Sequence, residues 1–101
     1  MGDVLPMEVP SLKVLKKLLF RALNENQRLI LRNINGNYRS LNVFLEDLSR
    51  RTSKPISTLK LNARILKELG LIDYGTRDRP KPVKLTEEGK VILMLLEGDE
   101  I

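Results

Sequence analysis

The sequence contains neither cysteine nor histidine, and these two absences exclude several kinds of site. Disulfide bonds cannot form, and zinc cannot be held by thiolate or imidazole ligands. A cysteine nucleophile and a histidine general base are excluded as well. We therefore expect no metal site, and the absence of cysteine fits a cytoplasmic protein.

Aromatic residues, clustered glycines and long apolar runs are also scarce. The aromatic residues are Tyr38, Tyr74, Phe20 and Phe44, which are few for a protein that stacks single-stranded bases. The glycines are isolated from one another, so no phosphate-binding glycine loop is present, and we expect neither an enzyme nor a cofactor. The longest apolar run, residues 91–96, is far shorter than the roughly 20 residues of a membrane-spanning helix, so we expect no membrane association.

Basic residues are in excess, and they are concentrated in one part of the chain. The 101 residues suit about one domain, and they carry a net charge of +5. Between Arg50 and Lys84, ten basic and three acidic residues give a net charge of +7, which leaves −2 for the remainder. This placement favours nucleic acid as the partner, and the alternative is a surface that is basic only for solubility.

Hydrophobic periodicity and capping residues predict a mainly α-helical chain with one small β-hairpin. Helices are predicted at about residues 12–23, 24–34, 41–52, 57–70 and 87–96, with caps at Ser11, Asn24 (paired with Gln27), Ser57 and Thr86. Short strands are predicted at residues 38–40, 71–74 and 83–85, and a loop at residues 75–82.

The predicted organisation is a single domain with a short extension at each end. We expect the domain to cover residues 11–97, including flanking helices at its two ends. Residues 1–10 are predicted to form a flexible arm and residues 98–101 a tail. The arm is acidic and is interrupted by Pro6 and Pro10, so it does not resemble a secretory signal.

Two predicted helices separated by a tight break at residues 52–55 are typical of a helix-turn-helix unit. In such a unit the first helix braces the second, and the second enters the major groove of DNA. The predicted inner face of the second helix consists of Leu59, Ala63, Leu66 and Gly70. Its predicted outer face consists of Ser57, Lys60, Leu61, Arg64 and Glu68, with Lys67 beside it.

The predicted hairpin carries a basic loop with the sequence GTRDRPKP at residues 75–82. Arg77, Arg79 and Lys81 alternate along it, so in an extended loop they would project from one side. Pro80 and Pro82 should stiffen such a loop. An extended basic loop suits the phosphate backbone or the minor groove, and the alternative is that its charges are merely solvated.

Segments of the chain resemble winged helix-turn-helix regulators of the ArsR and MarR type. Residues 56–72, ISTLKLNARILKELGLI, resemble the recognition helix and first wing strand, and residues 85–90, LTEEGK, resemble the segment after the wing. The resemblance covers about residues 24–96. It implies a winged-helix DNA-binding repressor or activator, often a homodimer, in which Ser57, Thr58, Lys60 and Arg64 face DNA. Leu61 departs from the polar or basic residue common at its position.

We therefore expect sequence-specific binding of double-stranded DNA, with a role in transcription regulation. Phosphate contacts are expected from Arg50, Arg51, Lys54, Arg77, Arg79 and Lys81, and base contacts from Ser57, Thr58, Lys60, Leu61 and Arg64, with Lys67 alongside. A thymine methyl group is one possible partner of Leu61, and a protein surface is the other. The alternative function is a winged-helix module that binds protein within a larger complex. Arg64 has Glu68 as an alternative partner one turn along the helix.

The two end helices carry more apolar residues than one buried stripe requires. The run at residues 91–96 is apolar around the whole helix, and such a helix is normally buried on all sides. We therefore expect a homodimer formed through the N- and C-terminal helices. The alternative is that these two helices pack only on the domain and on each other.

Overall fold

The computed structural model of the protein describes residues 12–98. Within this range the chain forms five helices and one two-stranded antiparallel sheet. The elements are α1 (Leu12–Ala22), α2 (Glu25–Asn33), α3 (Leu41–Thr52), α4 (Ile56–Glu68), β1 (Ile72–Asp73), β2 (Lys84–Leu85) and α5 (Glu87–Glu97). The predicted class, mainly helical with a small hairpin, is confirmed. The predicted arm, the Ser11 cap and residues 99–101 of the tail lie outside the described residues.

The hairpin is short, and it follows α4 directly. Ile72 lies opposite Leu85 and Asp73 lies opposite Lys84, so each strand has two residues where the sequence predicted three or four. Gly70 separates the helix from the strand with φ +84°, a left-handed conformation that glycine adopts without strain. At this turn the backbone N–H of Gly70 donates to Lys67 O, and the backbone N–H of Leu71 donates to Leu66 O. These two bonds form a Schellman motif, which ends α4 as the sequence predicted.

Side-chain caps fix where three of the helices begin. At α2, the N–H of Gln27 donates to Asn24 Oδ1 (2.8 Å) and the N–H of Asn24 donates to Gln27 Oε1 (3.1 Å), which confirms the predicted capping box. Thr86 caps α5 as predicted, since its Oγ1 accepts from the N–H of Gly89. Ser40 caps α3 in the same way.

The hydrophobic core lies around α4, which packs against α2, α3 and β1. Each of these elements contributes apolar side chains that are almost fully removed from water, and burial of this kind is the main source of stability. The core consists of Leu23, Ile30, Leu31, Phe44, Leu45, Leu48, Leu59, Ala63, Leu66, Ile72, Val83 and Leu96.

One polar side chain, Asn62, is buried inside this contact between α2 and α4. Its Oδ1 accepts from Nδ2 of Asn24 (2.9 Å) and from Nε2 of Gln27 (3.0 Å). Its own Nδ2 donates to the carbonyl oxygen of Thr58 (2.9 Å). The residues that cap α2 therefore also hold α4, and we call Asn24, Gln27 and Asn62 the amide cluster.

Three local predictions are wrong. Tyr38, Arg39 and Ser40 form no strand, because Ser40 caps α3 and the Tyr38 hydroxyl donates to Asp47 Oδ2 (2.6 Å). Ser57 does not cap α4, because the helix already begins at Ile56, and Pro55 at the cap position provides no side-chain hydrogen bond. Gly70 is exposed at the end of α4 and does not belong to the inner face.

The amide cluster predicts the effect of one substitution on stability. Asn62→Ala should lower the free energy of unfolding by about 1–3 kcal/mol, because the buried amide of Gln27 and the capping amide of Asn24 lose their shared acceptor. Urea denaturation measures this change. The matched control is Asn42→Ala at an exposed position of α3, which should change stability by less than about 0.5 kcal/mol. Equal stabilities of the two variants would contradict the role assigned to Asn62.

Candidate nucleic-acid interface

The face of α4 that points away from the core is polar and basic. Leu59, Ala63 and Leu66 are buried on one side of the helix, together with Asn62. The residues predicted for the outer face are all exposed, and they are Ser57, Lys60, Leu61, Arg64, Lys67 and Glu68. Thr58 is half-buried, and its carbonyl oxygen is occupied by Asn62. The predicted outer face is therefore confirmed as an exposed surface.

Lys60 and Arg64 are the cations of this face that the fold leaves uncompensated. Neither forms an ion pair with any residue between positions 12 and 98. The alternative pairing of Arg64 with Glu68 does not form. A cation without an internal partner keeps its full attraction for an external anion, so this part of α4 suits an acidic partner.

Lys67 is instead held against the hairpin. Its Nζ donates to Tyr74 O (2.9 Å), lies 4.3 Å from the centre of the Tyr74 ring and is 3.9 Å from Asp73 Oδ1. Burial raises the pKa of the Tyr74 hydroxyl above its usual value, so the ring next to Lys67 stays neutral. These contacts tie the end of α4 to the start of the loop.

The loop after β1 bends back on itself, so the prediction of an extended row of three cations is wrong. The N–H of Thr76 donates to Arg79 O (3.1 Å), and the N–H of Arg79 donates to Thr76 Oγ1 (3.0 Å). Lys81 turns towards the domain and pairs with Asp73 at 3.5 Å. Arg77 and Arg79 remain exposed at the tip, and neither forms an ion pair within the described part of the chain.

The bend depends on a glycine at the base of the loop. A Cβ atom at Gly75 would lie 2.1 Å from Arg79 O and 2.5 Å from Lys81 N, far inside contact distance. A larger residue at this position would push the two sides of the loop apart. The position of the arginine tip is therefore built into the sequence.

A cavity of about 390 Å³ opens between this loop and the first turn of α3. Its lining includes Ser40, Asn42, Lys67, Thr76, Arg77 and Lys81. Three of these side chains are cations, and the start of a helix adds the positive end of its dipole. Asp73 partly neutralises Lys67 and Lys81, so the positive charge of the cavity comes mainly from Arg77 and the start of α3.

The cations at the end of α3 are paired with acids of the protein. Arg50 Nη2 lies 2.7 Å from Asp47 Oδ1, and Arg51 Nε lies 3.0 Å from Asp47 Oδ2. Lys54 Nζ lies 3.5 Å from Glu25 Oε2. Sequence reasoning counted these three cations at full charge, and it missed the acids that partly neutralise them.

Asp47 is the centre of the polar network on α3. The hydrogen bonds from Tyr38 and from Arg51 hold the pKa of Asp47 below its usual value, and the Tyr38 bond has the larger effect. The same contact with Asp47 raises the pKa of Arg51. Asp47 therefore stays ionised and holds the side chains of Arg50 and Arg51 against the surface of their own helix.

An apolar ridge on α4 was also missed. Leu61 and Leu69 are exposed, and Ile65 is half-buried midway between them. Residues four apart lie on the same side of a helix, so these three form one ridge. The spacing was visible in the sequence, but the buried face at Leu59, Ala63 and Leu66 already accounted for the apolar pattern.

Comparison with protein-family models, with curated proteins and with solved structures gives no match for this chain. The functional argument therefore depends on the side chains themselves. Among residues 12–98, no helix has the length and apolar character needed to cross a membrane. The same residues contain no group of acidic side chains arranged to hold a metal ion.

The Asp47 network predicts how stability depends on pH. Since the pKa of Asp47 is lowered from its usual 3.8, its contribution is complete above that value and is lost as the pH falls through the folded-state pKa. Asp47→Asn should therefore be less stable than the wild type at pH 7, and the difference should shrink at pH 3. Guanidinium denaturation at the two pH values measures it. Glu46→Gln, the exposed neighbour, is the control, and a difference independent of pH would contradict the account.

Proposed function

We propose that this chain is a winged helix-turn-helix protein that binds double-stranded DNA in a sequence-specific manner and regulates transcription. In this proposal α3 braces α4, α4 enters the major groove, and β1, the basic loop and β2 form the wing. The loop at residues 75–82 contacts the phosphate backbone or the minor groove.

The observation that carries the proposal is that α4 and the loop tip each present two exposed cations that no acid of the described residues neutralises. Lys60 and Arg64 on α4 and Arg77 and Arg79 at the loop tip have no ion-pair partner within residues 12–98. These four side chains belong to the two elements that contact DNA in a winged helix. A duplex, with its dense row of phosphates, is a partner that satisfies both elements together.

The segment of α4 from Ser57 to Arg64 has the composition needed to contact base edges. Ser57, Lys60 and Arg64 are hydrogen-bond donors on its exposed face, and the acid of that face, Glu68, comes only in the last turn. Lysine and arginine donate to guanine O6 and N7, and serine pairs with several bases. An orientation with this segment in the groove places the donors on the bases and keeps Glu68 away from them.

The remaining cations contribute affinity rather than sequence preference. Lys67 and Lys81 line the cavity beside the wing, where a backbone phosphate would meet both. A DNA phosphate would have to replace the acidic partner that now pairs with Arg50, Arg51 or Lys54. That exchange makes their net contribution smaller than that of an unpaired cation.

A salt titration with a wing variant tests the proposal. The wild type should bind a duplex with an affinity that falls steeply between about 50 and 200 mM salt. Arg77→Ala combined with Arg79→Ala should weaken binding and make the dependence on log salt shallower by about 1–2 units. Fluorescence anisotropy with a labelled duplex measures both quantities.

The control for this titration is Lys13→Ala combined with Lys17→Ala, which removes the same charge from α1. Because α1 packs against α5, this variant should keep the wild-type slope. An equal change in both variants would show that only net charge matters and would contradict a wing contact. Absence of wild-type binding at either salt concentration would contradict the proposed function.

The apolar ridge favours the second candidate function, a module that binds another protein. Leu61 is 56% exposed and Leu69 is 57% exposed, and Ile65 connects them. Solvent-exposed apolar groups in a continuous row are typical of protein interfaces. In this alternative the ridge is the contact surface and the cations of α4 form its rim.

We also propose that two copies associate through α1 and α5. The two helices pack against each other, which is part of the alternative to a dimer given under the sequence analysis. Helix α5 also contacts the core through Ile92, Leu93 and Leu96. This packing leaves other apolar side chains of both helices exposed, among them Leu18, Val91 and Met94. A second copy supplies the apolar surface that covers these side chains.

Sedimentation velocity at micromolar concentration tests the homodimer. The wild type should sediment as a dimer, and Met94→Glu should give a folded monomer, because Met94 is 63% exposed and tolerates a charge in the isolated chain. Leu69→Glu is the matched control at the exposed residue that follows α4, and it should remain a dimer. A monomeric wild type, or a dimeric Met94→Glu variant, would contradict the interface.

A further inference from the structure

Leu61 is a large apolar side chain at the N-terminal end of the apolar ridge, where its exposed neighbours are polar. It is 56% exposed and lies on the outer face of α4, where Lys60 precedes it and Arg64 follows it by less than one turn. Ser57, one turn before it, is also exposed. Single exposed leucines are common in proteins, so exposure alone assigns no role to this residue.

The neighbours of Leu61 restrict the kind of partner it can contact. Lys60 and Arg64 have no ion pair within residues 12–98, so both are hydrated in the free protein. An apolar protein surface that covered Lys60 and Arg64 together with Leu61 would strip water from both cations and return no hydrogen bond. A suitable partner therefore offers a small apolar group surrounded by hydrogen-bond acceptors or negative charge.

The major groove of DNA offers this combination. Thymine carries its C5-methyl group there, next to its own O4 acceptor, and neighbouring guanines present N7 and O6. We infer that Leu61 contacts the C5-methyl group of a thymine while Lys60 and Arg64 bind adjacent acceptors or phosphates. This inference rests on the proposed function, since it needs α4 to lie in the major groove.

Deoxyuridine provides a direct test, because it differs from thymidine only by the missing C5-methyl group. The wild-type protein first selects its preferred duplexes from a randomised pool. Each thymine of a selected duplex is then replaced in turn by deoxyuridine, and the affinity is measured by fluorescence anisotropy. At one or more positions the replacement should weaken wild-type binding about fourfold, the factor expected for burying one methyl group.

Two substitutions of Leu61 test whether its side chain causes this sensitivity to deoxyuridine. Leu61→Ala should bind the thymine and deoxyuridine duplexes equally well, because the group that contacts the methyl is gone. Leu61→Gln, which keeps the length of the side chain but not its apolar character, should behave in the same way. Leu69→Ala is the matched control, since Leu69 is equally exposed but lies beyond the last residue of α4, and it should keep the fourfold difference.

The other outcomes overturn the inference in distinguishable ways. If the wild type binds its selected duplex but no position is sensitive to deoxyuridine, Leu61 contacts no methyl group and the proposed function stands. If Leu61→Ala keeps the sensitivity, another side chain contacts the methyl. If no duplex is selected, the proposed function fails, and the inference fails with it.

Discussion

The amide side chain of Asn62 sets how α4 is rotated about its own axis. It is buried between α2 and α4, and its Oδ1 accepts hydrogen bonds from the two capping residues of α2. A rotation of α4 would break these bonds and leave buried polar atoms unpaired, which is costly in a low-dielectric interior. Because Leu61 and Ala63 flank Asn62, the same bonds determine which residues face water.

The surface that this orientation of α4 exposes contains cations with an acidic partner and cations without one. Two acids lie at the edges of the basic surface, where Asp47 pairs with two arginines and Asp73 lies close to two lysines. No acid pairs with Lys60, Arg64 or the loop tip among residues 12–98. The centre of the surface therefore attracts an external anion more strongly than its rim does.

Helix positions and the outer face of α4 could be predicted because they depend on local pattern. The spacing of Leu59, Ala63 and Leu66 fixes the buried side whatever packs against it, and Asn24 with Gln27 signals a helix start. The three- and four-residue spacing of Asp47 with Arg50 and Arg51 was a local signal that sequence reasoning overlooked.

Other features depend on contacts between distant residues, and no local pattern predicts them. The burial of Asn62 requires Asn24 at a distance of 38 positions, and Lys54 meets Glu25 only after α2 and α3 have packed. The bend of the loop was missed because alternating charges and prolines suggested an extended chain. That bend is local in the sequence, since it is closed by the bond between Thr76 and Arg79 and by the close approach at Gly75.

Amide chemical-shift mapping with a duplex tests the central claim, that residues 57–64 of α4 and the arginine tip of the loop together contact DNA. In a uniformly labelled chain, the shifts that change on titration should be concentrated at residues 57–64 and 75–82. Residues of α1 and α5 should change little. Changes confined to residues 65–69 or to the end helices, or no change at a saturating duplex concentration, would contradict the account.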